Sequence, residues 1–336
     1  MKSLVVGGAG YIGSHCAIEL LNANHDIAII DNLSNSSNSV IENIEKISKR
    51  SLDFFEGDIL DNAFLSDVFN ANEFDAIFHF AGKKSVNESI QMPLNYYSNN
   101  LIGSLNIIKH AIKNEVPNFI FSSSATVYSP EASMPVNENS STEIIQTPYG
   151  RSKKQIEEIL KDIVTSGIKL NVAILRYFNP AGAHPSGLIG ESPKGKPNNL
   201  VPIVSKAATG EIDEIFIYGD DYKTKDGTGI RDYIHVVDLA KGHISALEKI
   251  TSSSGINTWN LGTGYGISVM ELISAFEKEI GHSLKKTITK RREGDRAICY
   301  ADVKKSEKEL NWAADKEIAD IVKDSLRWEL NRSKSL

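Results

Sequence analysis

Tyr149 and Lys153, in the stretch Tyr149-Gly150-Arg151-Ser152-Lys153, are the pair in this chain best suited to chemistry. Four residues apart on a helix, they share one face, side by side. A phenol is a poor base at neutral pH because its free pKa is about 10. An ammonium about 5 Å away, at an effective dielectric of about 20, favours the phenolate by roughly 3 kcal/mol. That is about 2 pKa units, enough to make Tyr149 a usable proton acceptor. The spacing alone also fits two ordinary residues on a half-exposed helix, so the surrounding elements decide.

Those elements alternate. Short apolar runs at Leu4–Val6, Ile27–Ile30, Leu52–Phe55, Ala76–Phe80, Phe119–Phe121 and Val172–Leu175 predict buried strands. Helices are expected between them near Ile12–Ala23, Asn62–Phe69, Ser98–Lys113 and Tyr149–Val164. Nearly all-apolar strands alternating with helices imply a parallel sheet covered on both faces. After Phe178 the pattern breaks into a stretch rich in glycine, proline and asparagine between Asn179 and Asn199. Later pieces are a helix near Val236–Ile250, a strand near Thr258–Leu261, and helices near Val269–Ile280 and Ile318–Leu330. The division expected is 1–178 for a first domain and 179–336 for a smaller, mixed α/β second domain, with part of 235–262 packing back on the first.

Composition narrows the class. The 336 residues suffice for one large or two interlocked domains, and the net charge of -6 argues against a general nucleic-acid surface. Two cysteines, Cys16 and Cys299, make no disulfide framework and suit a reducing, cytoplasmic setting. No apolar run approaches transmembrane length. The eight histidines are scattered without ligand-like spacing, so no metal is expected. The N-terminus reaches Gly7-Gly8-Ala9-Gly10 too early for a signal-peptide core.

Gly7, Gly10 and Gly13 directly follow the first strand and open the first helix. One glycine makes a tight turn, one lets the backbone approach a pyrophosphate, and one lets the helix pack on the sheet. The helix N-terminus then presents free N–H groups and a positive dipole end to phosphate. Asp31 ends the second strand about twenty residues on, where a carboxylate accepts from a ribose 2′-hydroxyl and repels a 2′-phosphate, selecting NAD over NADP. Asp58, after the third strand, fits an acceptor for an adenine amino group and equally an ordinary β-turn. Phe80-Ala81-Gly82-Lys83-Lys84 follows the fourth strand; its small residues permit close backbone approach, and Lys84 is within reach of the pyrophosphate. The fold expected is a Rossmann-type, doubly wound parallel α/β sheet.

With Ser122-Ser123-Ser124 after the fifth strand, the glycine loop, Asp31, Phe80-Ala81-Gly82 and Tyr149/Lys153 resemble the extended short-chain dehydrogenase/reductase family. Over essentially its whole length the chain resembles UDP-glucose (UDP-galactose) 4-epimerases. The stretches that carry this are Ser122–Tyr128, Arg176–Pro185, Asp226–His235 and Arg291–Asp295. Val6 stands where threonine is frequent, a small departure. The resemblance implies that Tyr149 takes the proton from the sugar 4-hydroxyl, Lys153 lowers its pKa and holds the nicotinamide ribose, and Ser124 aligns the same oxygen. Hydride passes to tightly held NAD, the 4-ketose turns about its diphosphate link, and hydride returns to the opposite face. The fixed cofactor and loosely held sugar require that specific contacts concentrate on the uridine diphosphate.

The same resemblance adds Tyr11, Ile12, Asn32, Ile59, Asn99 and Phe178 to the cofactor site. It implies Arg231 and Arg292 for the diphosphate, where a planar guanidinium suits bidentate pairing. Asp295 falls to the uridine ribose, Asn179, Asn199 and Leu200 to phosphate or sugar, and Phe216 and Tyr218 to uracil; each is otherwise an ordinary surface or loop residue. Cys299 stands where some members carry a tyrosine that narrows the sugar pocket. A small residue there leaves room for a C2 N-acetyl group, so UDP-N-acetylglucosamine and UDP-N-acetylgalactosamine are expected substrates beside the plain hexoses; a buried cysteine is also a small apolar core residue. A homodimer is implied through helices of the first domain. Three other activities compete. A nucleotide-sugar dehydratase needs acid and base carboxylates just after the Ser124 position, where Ala125-Thr126 stand instead. A simple dehydrogenase would release NADH, and a non-catalytic NAD sensor would lack the tyrosine or lysine.

Overall fold

The computed structural model describes every residue except Lys196, Glu293, Ser335 and Leu336. Its first part runs β1 (Lys2–Val6), α1 (Tyr11–Asn22), β2 (Asp26–Asp31), α2 (Ser39–Ser48), β3 (Asp53–Glu56), α3 (Asn62–Asn70) and β4 (Ala76–His79). It continues through α4 (Val86–Gln91), α5 (Pro93–Tyr96), a π-helical segment (Tyr97–Ile102), α6 (Gly103–Lys113) and β5 (Asn118–Ser124). A 3₁₀ turn (Ala125–Val127), α7 (Pro148–Thr165) and β6 (Asn171–Tyr177) complete it.

The remainder comprises β7 (Asn179–Ala181), α8 (Leu200–Ala208), β8 (Ile215–Tyr218), β9 (Ile230–Arg231), β10 (Tyr233–His235) and α9 (Val236–Thr251). Then come β11 (Ile256–Leu261), β12 (Ile267–Ser268), α10 (Val269–Ile280), β13 (Lys286–Thr289), β14 (Ile298–Cys299), α11 (Lys304–Leu310) and α12 (Ile318–Lys334).

Seven strands form one parallel sheet in the order β11-β6-β5-β4-β1-β2-β3. Strand side chains alternate between two cores, as a period of two demands. Val5, Ile27, Ile29, Phe78, Ile120 and Leu175 meet α1, α2 and α9 on one face. Leu4, Val6, Ala28, Ile30, Phe119, Phe121 and Ile174 meet α3, α6 and α7 on the other. The order reverses between β1 and β4, and ligands of such sheets bind outside the strand carboxyl ends at that switch point. A third core gathers Val201, Val204, Ile215, Ile217, Leu272, Phe276, Ile321 and Leu326 from α8, β8, α10 and α12. Small sheets β8–β13, β7–β10 and β12–β9–β14 surround it. β11 lies beside β6, and α9 packs on α1. Among the described residues no helix is long and apolar enough to cross a membrane.

The expected helix Ser98–Lys113 proves to be the end of a broken run. Pro93 starts α5 at its first turn, where a missing N–H costs nothing, after Met92 leaves helical geometry at φ -130°, ψ 58°. The π-helical segment that follows carries Asn99 half-buried and Asn100 fully buried, and such bulges recur at functional sites. Helix α2 lay hidden in the sequence: only Ile41 and Ile44 are buried, and no side chain caps its start.

Candidate active site

At the switch point, the glycine turn is pressed between backbone strands. Gly7 has φ +80°, and a Cβ there would lie 2.6 Å from the Ala81 nitrogen. A Cβ on Gly13 would lie 2.3 Å from the Gly7 carbonyl oxygen. Phe80 and Ala81 both donate their backbone N–H to the Val6 carbonyl, at 2.8 and 2.9 Å, so the turns after β1 and β4 form one wall. Gly10 caps α1 without a side-chain bond, and no acid occupies the first turn. The α1 N–H groups and dipole therefore face the crevice unneutralised. Asp31 accepts from the Ala9 N–H at 3.0 Å and from Leu33 N–H and Ser36 Oγ at 2.9 and 3.2 Å. Burial raises its pKa, and these bonds oppose the rise.

The remaining cofactor candidates divide. Asn32 donates to Asp58 Oδ2 at 2.8 Å, while Asp58 Oδ1 accepts the Leu60 N–H at 2.9 Å, so Asp58 closes its own turn. The Ile59 side chain belongs to the core under α6, and Ile12 packs on the core under α1. The Phe80 ring lies 5.0 Å from the His243 ring, tilted by 47°. Tyr11 donates its hydroxyl to the Gly182 carbonyl at 2.7 Å, tying the glycine loop to the segment after β7. Lys84 pairs with Glu191 at 2.6 Å, its ammonium 5.8 Å from the Tyr11 ring. Gly82 is held through Asn100, which accepts the Lys83 N–H at 2.8 Å and donates to the Lys83 carbonyl at 2.9 Å. Phe178 is 8% exposed and lies in a cluster with Ala125 and Tyr128.

Ser124 ends β5 and caps the 3₁₀ turn, its Oγ accepting from the Thr126 N–H at 3.2 Å and Thr126 Oγ1 at 3.0 Å. Tyr149 occupies the first turn of α7, behind Pro148 and the capping hydroxyl of Thr147. A Cβ on Gly150 would lie 2.8 Å from the Thr126 carbonyl, so glycine lets α7 rest directly on the Ser124 turn. The Tyr149 ring meets Tyr96 edge-on at 6.5 Å, and Ser124 acts on its hydroxyl in the direction that lowers its pKa. Lys153 is 5% exposed and donates to the Ser122 carbonyl at 2.7 Å, 4.9 Å from the Phe121 ring. Burial lowers its pKa to about 8, with Glu157 acting the other way.

Tyr149 departs from the sequence expectation in one respect. Loss of solvent around its hydroxyl raises the pKa, and the opposing influence is the Ser124 hydrogen bond rather than Lys153. The lysine ammonium is committed to the Ser122 carbonyl. The chain's own residues thus leave the phenol's pKa above its usual value.

On the other wall, Arg231 Nη2 donates to Asp295 at 3.1 Å and Nη1 to its neighbour's carbonyl at 2.9 Å. The Arg292 guanidinium sits over the Tyr218 ring, 3.8 Å from its centre. Phe216 and Tyr218 stand on the exposed face of β8, 49% and 38% exposed, alternating with buried Ile215 and Ile217. Asn199 precedes α8 and donates to Glu191 at 2.8 Å, while Leu200 packs into the third core. Asn179 is fixed by its backbone N–H on the Asp232 carbonyl at 2.9 Å. Cys299 pairs in register with Arg231 and packs on the cluster of Ala125 and Phe178. A cavity of about 450 Å³ opens beside it, lined by Ala132, Met134, Gln146, Asp295, Arg296 and Ile298. Glu293, within one matched stretch, lies outside the described residues.

The glycine turn at the switch point, with Tyr149 seated on the Ser124 turn and Lys153 buried one helical turn on, has close counterparts. The family model for the NAD dependent epimerase/dehydratase family matches residues 3–262. The chain belongs to this family. The UDP-glucose 4-epimerase of Bacillus subtilis is 48% identical over 98% of this chain and 97% of its own length. The crystal structure of UDP-glucose 4-epimerase from Bifidobacterium longum in complex with NAD+ and UDP is 47% identical, covers all of both chains and superposes with a TM-score of 0.97. The UDP-Glc/GlcNAc 4-epimerase from Campylobacter jejuni is 39% identical over 98% of this chain and 99% of its own, with a TM-score of 0.85.

Much of what the family stretches encode in this member is scaffold. Asp232 is fully buried and accepts four hydrogen bonds, from Thr263 N–H and Oγ1, Gly264 N–H and Ala301 N–H. Arg176 forms a buried bidentate pair with Glu157, at 2.9 and 2.7 Å, and Ser123 donates to the same carboxylate at 2.5 Å. Sequence reasoning missed Glu191, Asn100 and Glu157. Glu157 had a signal, one helical turn beyond Lys153 on the same face. Glu191 sits in an irregular loop, where no periodicity points inward.

Proposed function

We propose that this chain interconverts UDP-glucose and UDP-galactose at carbon 4, as an NAD-dependent epimerase. The observation that carries the reading is the seating of Tyr149, in the first turn of α7, on the Ser124 turn at the carboxyl end of β5, where the next residues are Ala125 and Thr126. No carboxylate follows Ser124 to eliminate water, which disfavours a dehydratase. The glycine cradle fits NAD: a Cβ at Gly7 or Gly13 would strike backbone atoms, and Asp31 offers its carboxylate at the end of β2. Gly7, Gly10, Tyr11, Ile12, Gly13, Asp31, Asn32, Asp58, Ile59, Phe80, Ala81, Gly82, Lys84, Asn99 and Phe178 would surround it, together with Tyr149 and Lys153. NAD, when bound, supplies the hydride acceptor and a positive ring beside the phenol.

Ser124 holds the 4-oxygen in line, and Tyr149 Oη takes its proton. Lys153 would hold the nicotinamide ribose, and its pKa of about 8 leaves it mostly protonated at pH 7. Arg231, Arg292 and Asp295, with Asn179 and Asn199, hold the uridine diphosphate, and Phe216 and Tyr218 meet the base. Binding energy concentrated there leaves the sugar free to turn. Residues 1–178, with part of 235–262, hold the cofactor, and the rest of 179–336 holds the substrate.

Cys299 extends the range to N-acetylhexosamines, because its short side chain beside Ala125 leaves the sugar wall open. The Campylobacter relative's named substrates support this. The exposed apolar residues Ile90, Met92, Leu94 and Ile102, 48 to 78% exposed along α4, α5 and the π-helical segment, support a homodimer through this face. Free thiols at Cys16 and Cys299 suit the cytoplasm. The deciding experiment incubates pure protein with each UDP-sugar and no added NAD. Formation of the C4 epimer without net NADH supports the epimerase; stoichiometric NADH or a dehydrated product contradicts it.

A further inference from the structure

A cavity of about 10 Å³ lies between α8, α12 and the loop that carries Glu191, lined by Glu191, Ser205, Ser325, Trp328 and Glu329 among others. That is the room of one water molecule. Three buried polar atoms of its lining residues have no hydrogen-bond partner among the described residues: Ser205 Oγ, Ser325 Oγ and Trp328 Nε1. Ser205 and Ser325 are 1% and 4% exposed. Unmet buried donors are costly, and native interiors meet them with ordered water.

The chemistry of the lining selects the ligand. An indole N–H only donates, which suits a water oxygen and opposes a cation. Hydroxyls serve either way, and a carboxylate only accepts. Glu329 already accepts from Arg332 at 2.9 Å. Glu191 meets both Lys84 and Asn199 through Oε1, at 2.6 and 2.8 Å, and Oε2 has no partner among the described residues. A Cβ on Gly190 would lie 2.5 Å from Trp328, so the indole seats on the backbone next to Glu191.

We propose that this cavity binds one structural water. It accepts from Trp328 Nε1–H, shares hydrogen bonds with the Ser205 and Ser325 hydroxyls and donates to Glu191. Helix α12 thereby positions Glu191 and, through it, Lys84 and Asn199. The positioning half rests on the ligand roles proposed above for those two residues; the water itself does not.

A crystal structure of the NAD-loaded enzyme tests the site directly. The expected result is a single peak about 2.7–3.2 Å from Trp328 Nε1, Glu191 and at least one serine. Side chains closed on one another with no peak, or a peak with cation-like oxygen distances near 2.4 Å, overturn the proposal whatever the enzyme's activity. For positioning, Ser325→Ala and Trp328→Phe should raise KM for UDP-galactose about five- to tenfold, with kcat within about twofold. Ser325→Thr, which keeps the hydroxyl, should restore KM. An unchanged KM in folded Ser325→Ala, Trp328→Phe and Ser205→Ala overturns the positioning role and leaves the epimerase reading standing.

Discussion

Glu157→Gln is a sharp perturbation because it removes one charge and almost no volume. Glu157 is 0% and Arg176 3% exposed, and the carboxylate accepts from Arg176 Nε, Arg176 Nη2 and Ser123 Oγ. The amide leaves a buried guanidinium whose other contacts are the Glu138 carbonyl at 3.2 Å and the Tyr128 ring at 4.9 Å. Breaking one side of such a pair costs about 3–5 kcal/mol, a large share of the roughly 5–15 kcal/mol that holds a domain folded. A second effect reaches the chemistry. Glu157 holds the Lys153 pKa up against burial, which already lowers it to about 8. Without that charge Lys153 loses its proton at lower pH, and the alkaline limb of the kcat/KM profile moves to lower pH. Urea unfolding gives the first quantity and a pH–rate profile the second. A loss below about 1 kcal/mol, the scale of an exposed pair, together with an unmoved alkaline limb, refutes the reasoning. Glu157→Leu combined with Arg176→Met should recover most of the stability, because both charges then leave together.

Burial holds His15 and His79 down to about 3 and His243 to about 4. Unfolded imidazoles titrate near pH 6.5 (about 6.5 by model peptides), so below that the unfolded chain binds up to three more protons. Stability is full above about pH 6.5 and falls on acidification by up to about 4 kcal/mol per pH unit. The buried carboxyls of Asp31 and Asp232, whose pKa values burial raises, act in the opposite sense at lower pH. The histidine effect is therefore read between about pH 5.5 and 6.5, and pH-independent unfolding there would exclude it. Cys299→Tyr should keep UDP-galactose turnover within a few-fold and lose turnover of UDP-N-acetylgalactosamine; equal loss or equal retention of both removes the pocket argument. Leu94→Glu, at the most exposed apolar side chain of its patch, 78% exposed, should yield a monomer by light scattering. A native chain already monomeric, or a variant still dimeric, contradicts that interface.

The first half of the chain was legible because its signals are local. Apolar strands such as Ala76–His79 have nowhere to go but a covered sheet, and the spacing of Gly7, Gly10 and Gly13 reports backbone crowding at one turn. The pairing of Tyr149 with Lys153 was legible as a shared helix face, but its electrostatics were not. The lysine's contact with the Ser122 carbonyl and the desolvation of the phenol are tertiary facts. Glu191 was invisible because its partners, Lys84 and Asn199, lie 107 and 8 residues away in unrelated segments. Asp232 lay inside a recognised stretch, yet its buried carboxylate ties together two other segments, one at Thr263 and Gly264 and one at Ala301. Resemblance located the residues; only packing separated those that face the crevice from those that hold it open.

Tyr149→Phe tests the central claim most directly. The variant keeps the ring against Tyr96 and removes only the hydroxyl. If Tyr149 is the base, purified variant retains its bound NAD while epimerisation of UDP-galactose falls by at least about 10³-fold, the scale of a positioned acid–base group. A variant that keeps its cofactor and epimerises at the native rate contradicts the account.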